Sequence, residues 1–306
     1  MSIGAIVFRG LILIARGFLF GFTARVVDVI RTPEGKACLN VGCGAAYFPE
    51  WTNCDLLPGR QVVGHDLRDS LPWRDGTFDA VYSSHVLEHL TEDVGRRQLT
   101  EQFRVLKSGG VCRVVVPDLE GLCLEYLKAL DGAAQNQDAD AMRRYRWAVI
   151  ELLDQMVREE SGGALRKLLN SGDYDKTQVR ARFGDAFRGA EGEPLTLENS
   201  RTDAKNSPVA LETDWVAKMA RRWKKWKLKW VTDGGRDPRK SGEAHRWMYD
   251  RVSLVQLLEV VGFSQCEVTT FDRSSIPNWE KYNLDASRHG PFPRKPDSLF
   301  VEGIKP

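Results

Sequence analysis

Leu39-Asn40-Val41-Gly42-Cys43-Gly44 is an apolar, strand-like run that breaks directly into a glycine-rich turn. Glycines at a strand-to-helix turn let the backbone approach a ligand closely, and the turn's N–H groups can face polar or anionic ligand atoms. G-x-G alone is a weak signal, and its neighbours strengthen it. Asp55 ends a second strand-like run, where a carboxylate can accept both hydroxyls of a ribose. Asp66-Leu67 ends a third, where a carboxylate can accept a hydrogen bond from an adenine amino group. Three such elements at the carboxyl ends of adjacent strands outline a nucleoside site at the switch point of an open sheet.

Outward from that run, short stretches rich in β-branched residues recur at 36–41, 52–55, 61–65, 78–83 and 111–116. The last is nearly continuous apolar sequence, as expected of a central parallel strand covered on both faces. Between the fourth and fifth, Val94, Leu99, Phe103 and Leu106 line one face of an expected helix over 91–107, which Ser108-Gly109-Gly110 should stop. Later strands are expected at 264–271 and 298–304. A helix before the first of these has capping-box spacing at Ser253 and Gln256, and Gly262 to end it. This alternation indicates an α/β sheet. The stretches 118–130, 139–160 and 209–230 read as helical and 189–208 as a polar loop. The expected division is an apolar N-terminal helix over 1–35, a Rossmann-like domain over 36–125 and 241–306, and a helical insertion over 126–240.

With 42% hydrophobic and 28% charged residues, disordered, collagen-like and polytopic membrane proteins are excluded. The six cysteines include no C-x-x-C pair, which points to a reducing, cytoplasmic setting. The formal charge of +2 hides a segregation, because residues 211–240 carry ten Lys/Arg against four Asp/Glu.

The stretches LNVGCG, HDLRDSLPWRDGTFDAVYSSHVLEHL and EQFRVLKSGGVCRVVVPDLE resemble class I S-adenosylmethionine-dependent methyltransferases. HRWMYDRVSLVQLLEVVGF and DSLFVEGIKP resemble the type 11-like bacterial group associated with surface polysaccharides. The resemblance covers about 36–125 and 243–306. It implies a seven-stranded sheet of order 3-2-1-4-5-7-6 with an antiparallel last strand, and S-adenosylmethionine as cofactor. Carried over by residue, Gly42, Cys43 and Gly44 would lie against the methionine moiety, Asp55 would hold the ribose, and Asp66 with Leu67 the adenine. Ser84 and His85 would lie near the sulfonium and acceptor. Asn40 departs from the acidic residue common at its position, and Ala46 from a frequent third glycine. Only ten residues separate Gly44 from Asp55, implying a truncated first helix. The phosphate-binding G-x-G-x-x-G of a dinucleotide dehydrogenase is incomplete.

Methyl transfer from a sulfonium is a displacement governed by alignment, and a hydroxyl acceptor benefits from a base near neutral pH. His85, beyond the fourth strand, and His245, before the last helix, are the catalytic candidates. His85, Glu88 and His89 share one side of a helix by spacing. Some methyltransferases carry a metal-binding E-x-x-E-H there, but L-E-H also occurs without a metal role, and no metal is expected.

Trp215, Met219, Trp223, Trp226 and Trp230 form one helical stripe bordered by Lys and Arg, a pattern suited to a membrane interface as well as to plain packing. Ile3–Phe22 is apolar apart from Arg9 and Arg16, each of which would cost roughly 2.5–3.5 kcal/mol at a bilayer centre. Surface contact on the inner face of the membrane through 1–30 and 211–230 therefore fits better than a span. The expected activity is O-methylation of a surface-glycan or lipid-linked sugar precursor. The rivals are a methyltransferase acting on RNA or a small metabolite, with nucleic acid the weaker partner, and a non-catalytic scaffold.

Overall fold

The computed structural model describes residues 28–44, 46–59, 61–136, 138–184, 237–282, 284–287 and 289–306, the side chains of 240 and 241 excepted. Its sheet has seven strands: β1 (Cys38–Val41), β2 (Thr52–Asp55), β3 (Val62–Gly64), β4 (Phe78–Ser84), β5 (Leu106–Pro117), β6 (Ser264–Thr269) and β7 (Ser298–Ile304). They lie in the order β3-β2-β1-β4-β5-β7-β6. The first five are parallel, while β7 runs antiparallel to both β5 and β6. This is the Rossmann-like methyltransferase sheet that the resemblance implied.

Helices differ more from expectation than strands do. No helix joins β1 to β2, β2 to β3 or β3 to β4 among the described residues; turns make all three connections. The first helix, α1 (Glu92–Val105), ends two residues short of the expected Lys107. Ser108-Gly109-Gly110 lies inside β5 rather than after the helix. Phe78 pairs with Leu106 and Ala80 with Val111, so the glycines form an irregularity in the ladder.

Between β5 and the final helix run α2 (Leu119–Asn136), α3 (Ala139–Val157), α4 (Gly163–Ser171), α5 (Lys176–Phe183) and α6 (Pro238–Ser241). The boundary drawn between 125 and 126 falls within α2. Trp147, Leu165, Leu168, Tyr174 and Val179 form a small separate core. The helix α7 (Arg251–Val261) begins three residues earlier than its sequence suggests. Asp250 accepts from Val252 and Ser253 N–H while Ser253 Oγ accepts from Asp250 N–H, so the capping box is Asp250–Ser253 rather than Ser253–Gln256.

Residues 28–35 are not helical, which corrects the expected helix over 1–35. Arg31 bridges Ala37 antiparallel, and Thr32-Pro33-Glu34-Gly35 makes a turn in which Gly35 N–H donates to Thr32 O at 2.8 Å. Proline in the second turn position presets its φ and favours this turn over a continued helix. The membrane-suited stretches 1–27 and 211–230 lie outside the described residues, as do the polar loop 189–208 and the whole of the expected helix 209–230. Among the described residues, no helix is long and apolar enough to cross a membrane.

The two sheet faces are covered differently. α1 and α7 cover one, where Leu99, Leu254 and Leu258 pack on Leu39, Val81 and Val114. Truncating such a leucine to alanine typically costs about 2–5 kcal/mol. The other face is covered by α8 (Trp279–Tyr282) and its flanks, with Trp279 and Tyr282 on Tyr82, Trp51 and Val115. Beneath that layer Arg113, on β5, is fully enclosed. It donates to Asp285 and Glu302 and to the carbonyls of Thr270 and Arg273, and it lies 4.5 Å from the Trp279 ring centroid.

Candidate functional site

A cavity of about 480 Å³ opens at the carboxyl ends of β1, β2 and β4. Gly42 leaves β1 with φ +65°, and a Cβ there would sit 2.3 Å from Val86 Cγ2. Only glycine meets both demands. The carboxylate of Asp55 accepts Gly44 N–H at 2.9 Å and Leu57 N–H at 3.2 Å, one on each oxygen. Those bonds fix its direction and leave lone pairs for a ligand. Leu56, Leu57, Leu67, Val86 and Leu90 supply an apolar lining.

Asp66 also lines the cavity, but Arg68 holds it by a two-pronged bond, Nε to Oδ1 at 2.8 Å and Nη2 to Oδ2 at 2.6 Å. Arg68 lines the same wall and was not singled out from sequence. The adenine contact expected of Asp66 would therefore share a carboxylate with an arginine. Gly44 touches the lining only through its bond to Asp55. Cys43 is buried, its N–H donates to Cys54 O, and burial pushes its thiol up to about 12, which leaves it inert. Asn40 is buried and bonded to Asn53 and to the Ala46 carbonyl, a structural role.

The histidines converge, though not as the sequence reading arranged them. His85 lines the cavity with φ +54°, a rare conformation for a non-glycine residue, held by its N–H to Val115 O at 2.9 Å. Its Nε2 lies 2.9 Å from Ser298 Oγ and its Nδ1 3.2 Å from Glu88 Oε1, so both nitrogens face protein groups. Burial pushes the His85 imidazole below its ordinary range. His89 also lines the cavity. Its Nδ1 is 3.3 Å from the Ala244 carbonyl, which can only accept, so Nδ1 carries the hydrogen and the Nε2 lone pair is left available. His245 is buried behind it, ring centroids 5.0 Å apart, and burial pushes its imidazole down to about 3. His245 thus backs His89 rather than facing the cavity.

Three distant segments build this cluster. Arg246 and Trp247 N–H both donate to the Glu88 carbonyl, and His245 N–H donates to Gln155 O on α3. Arg239, Gly242 and Arg246 also line the cavity. Lys295, before β7, adds charge near His85 and Glu88; burial pushes its ammonium down to about 8. Sequence spacing found His85, Glu88 and His89 together, but nothing local signalled that Ala244 and His245 would close on them.

No curated protein matches this chain. Among solved structures, it is 13% identical to an S-adenosylmethionine-dependent methyltransferase of Thermotoga maritima described as a possible histamine N-methyltransferase, with 97% of each chain covered and a TM-score of 0.36. It is 12% identical to such a methyltransferase of Archaeoglobus fulgidus, covering 88% of this chain and 86% of that one, TM-score 0.36. The 1,6-didemethyltoxoflavin-N1-methyltransferase of Burkholderia thailandensis, solved with S-adenosylhomocysteine, is 19% identical over 29% of this chain, TM-score 0.25; the match spans 46% of its length. The family described as Methyltransferase domain matches residues 60–114, the stretch that carries Asp66, Arg68, His85, Glu88 and His89.

Proposed function

We propose that this chain is an S-adenosylmethionine-dependent methyltransferase that O-methylates a hydroxyl of a surface-glycan or lipid-linked sugar precursor. One observation carries the reading: the cavity joins a nucleoside-suited wall, Gly42, Asp55 and the leucines, to an imidazole cluster and a pair of arginines. An adenosyl group fits that wall, since Asp55 retains lone pairs for ribose hydroxyls and Leu56, Leu57 and Leu67 offer apolar surface to a base. When bound, S-adenosylmethionine supplies an electrophilic methyl group on a sulfonium.

The chain's own residues then align and deprotonate the acceptor. Asp55 orients the donor, and the glycine turn keeps the backbone close to it. His89 presents Nε2 to the acceptor hydroxyl, and His245 and the Ala244 carbonyl hold its ring. His89 therefore takes the base role that the sequence reading gave to His85 and His245. Arg239 and Arg246 also line the cavity and suit an anionic acceptor such as a sugar phosphate. Peripheral contact through 1–30 and 211–230 would bring the chain to a lipid-linked acceptor.

Calorimetry with S-adenosylmethionine tests the donor reading: micromolar binding that Asp55→Ala weakens is expected, and no binding at millimolar donor would overturn it. Transfer of labelled methyl into a lipid-linked glycan fraction rather than RNA tests the acceptor. Liposome flotation of the full chain with anionic lipid tests membrane contact, and failure to float rejects it.

A further inference from the structure

We propose that Glu88, His89 and His245 form a binding site for a divalent ion of the zinc type at the acceptor end of the cavity. One ligand atom from each lies within 4.8 Å of the others. Zinc–ligand bonds of about 2.0–2.2 Å place tetrahedral ligands roughly 3.3–3.5 Å apart, so closure by about an ångström completes the set.

Three features besides proximity point to a cation. The Glu88 side chain is almost wholly enclosed; His85 Nδ1 lies 3.2 Å from its Oε1, while among the described residues its Oε2 accepts no hydrogen bond. A buried carboxylate in that state is costly unless paired or coordinated. The second feature is the His89 tautomer. With Nδ1 committed to the Ala244 carbonyl, the Nε2 lone pair faces Glu88 Oε1 at 3.9 Å. Two electron-rich atoms so aimed repel unless a positive centre lies between them. The third is the backing. Metal-bound histidine usually donates its other nitrogen to a carbonyl or carboxylate, and the Ala244 carbonyl supplies that contact.

Two imidazoles and one carboxylate favour a borderline transition ion over Mg²⁺. His89 lines the cavity, so the remaining coordination position faces the acceptor space. Binding of the ion does not depend on the methyl-donor reading; its use in holding an acceptor oxygen does, and with the ion bound His89 Nε2 is a ligand, so the ion rather than the imidazole lowers the pKa of the acceptor hydroxyl. Protonation of His89 is the competing way to neutralise Glu88. Lys295 acts on Glu88 only at longer range and makes no ion pair with it.

The full chain, stripped with chelator and dialysed, is titrated with Zn²⁺, Co²⁺ and Mg²⁺, with calorimetry and the visible absorption of Co²⁺ as readouts. One Zn²⁺ per chain and an intense Co²⁺ band are expected, with Mg²⁺ far weaker. Glu88→Gln and His245→Phe should each weaken Zn²⁺ binding more than about a hundredfold, beyond the roughly 10–100-fold of outer-shell changes. His89→Gln, at a partly exposed position, guards against misfolding of the buried variants and should show the same loss with unchanged circular dichroism. Absence of stoichiometric Zn²⁺ binding, preference for Mg²⁺, or full affinity in folded His89→Gln would each overturn the site. Separate calorimetry with S-adenosylmethionine shows whether the donor reading stands or falls on its own.

Discussion

Arg113 donates through Nε to Asp285 at 2.8 Å, across 172 residues of sequence, with both side chains shut off from solvent. The same guanidinium reaches Glu302 at 2.7 Å, and Tyr82 Oη donates to the second oxygen of Asp285 at 2.6 Å. One arginine thus ties the central strand, the last strand and the covering segment together. Arg113→Met would strand two buried carboxylates. We expect a loss of about 3–5 kcal/mol in urea unfolding, with Arg113→Lys only partly restoring stability, because an ammonium cannot match the fork.

Gly42→Ala should weaken donor binding at least about tenfold, or about 1.4 kcal/mol. Val86→Ala in the same chain removes the steric clash but not the unfavourable φ, so rescue should be partial. Calorimetric Kd values for the single and double variants decide it; full rescue would mean that the clash alone matters.

Burial pushes the Asp79 carboxyl up, but Lys107 Nζ at 2.7 Å and Ala37 N–H at 2.9 Å outweigh it and hold the group below its ordinary value. A carboxyl depressed in the folded state contributes stability that is present above its unfolded pKa, about 3.9. That contribution is lost as pH falls through the lower folded value. Asp79→Asn should therefore flatten the stability profile below about pH 4 and lower stability at pH 7.

Arg68→Ala frees the Asp66 carboxylate from its two-pronged partner. If Asp66 serves the adenine, donor affinity should change by less than tenfold in Arg68→Ala and fall about tenfold or more in Asp66→Ala. A large loss in Arg68→Ala alone would assign the ligand contact to the arginine instead.

The partly exposed His89, 26% accessible, should behave as a reacting group and the buried His245 as its support. His89→Ala is expected to lower kcat by about 10²–10⁴ with little change in KM. His245→Phe keeps a ring against His89, and should cost less than His89→Ala. Steady-state kinetics of both variants provide the comparison.

The strand order was legible because each strand carries its own local signature: apolar β-branched runs, the Gly42–Gly44 turn, and Asp55 at a strand end. The absent helices were less legible. Connections of ten residues or fewer leave little room for helical turns between β1 and β3, while the longer link before β4 folds into turns around the buried Leu71 and Trp73. Within the cavity, Gly42, Asp55, Asp66, Leu67 and His85 were readable from position along the chain. Arg68, Arg239 and Arg246 were not, since an exposed arginine looks alike in any loop. The edge-to-face contact of His89 with His245 depends on a return of the chain after more than 150 residues, a relation without periodicity to betray it.

The turn-built connections around β1 to β4 have a bearing on how heat and solvent enter this molecule. Strands β5 and β7 are shielded by α1, α7 and the Arg113 layer, whereas the three-residue β3 at one edge of the sheet is only partly buried along its length. Amide protons of β3 and of the Gly42–Gly44 turn should exchange with deuterium well before those of β5. An added nucleoside ligand should slow exchange there first, making this edge of the sheet the most sensitive reporter of what binds.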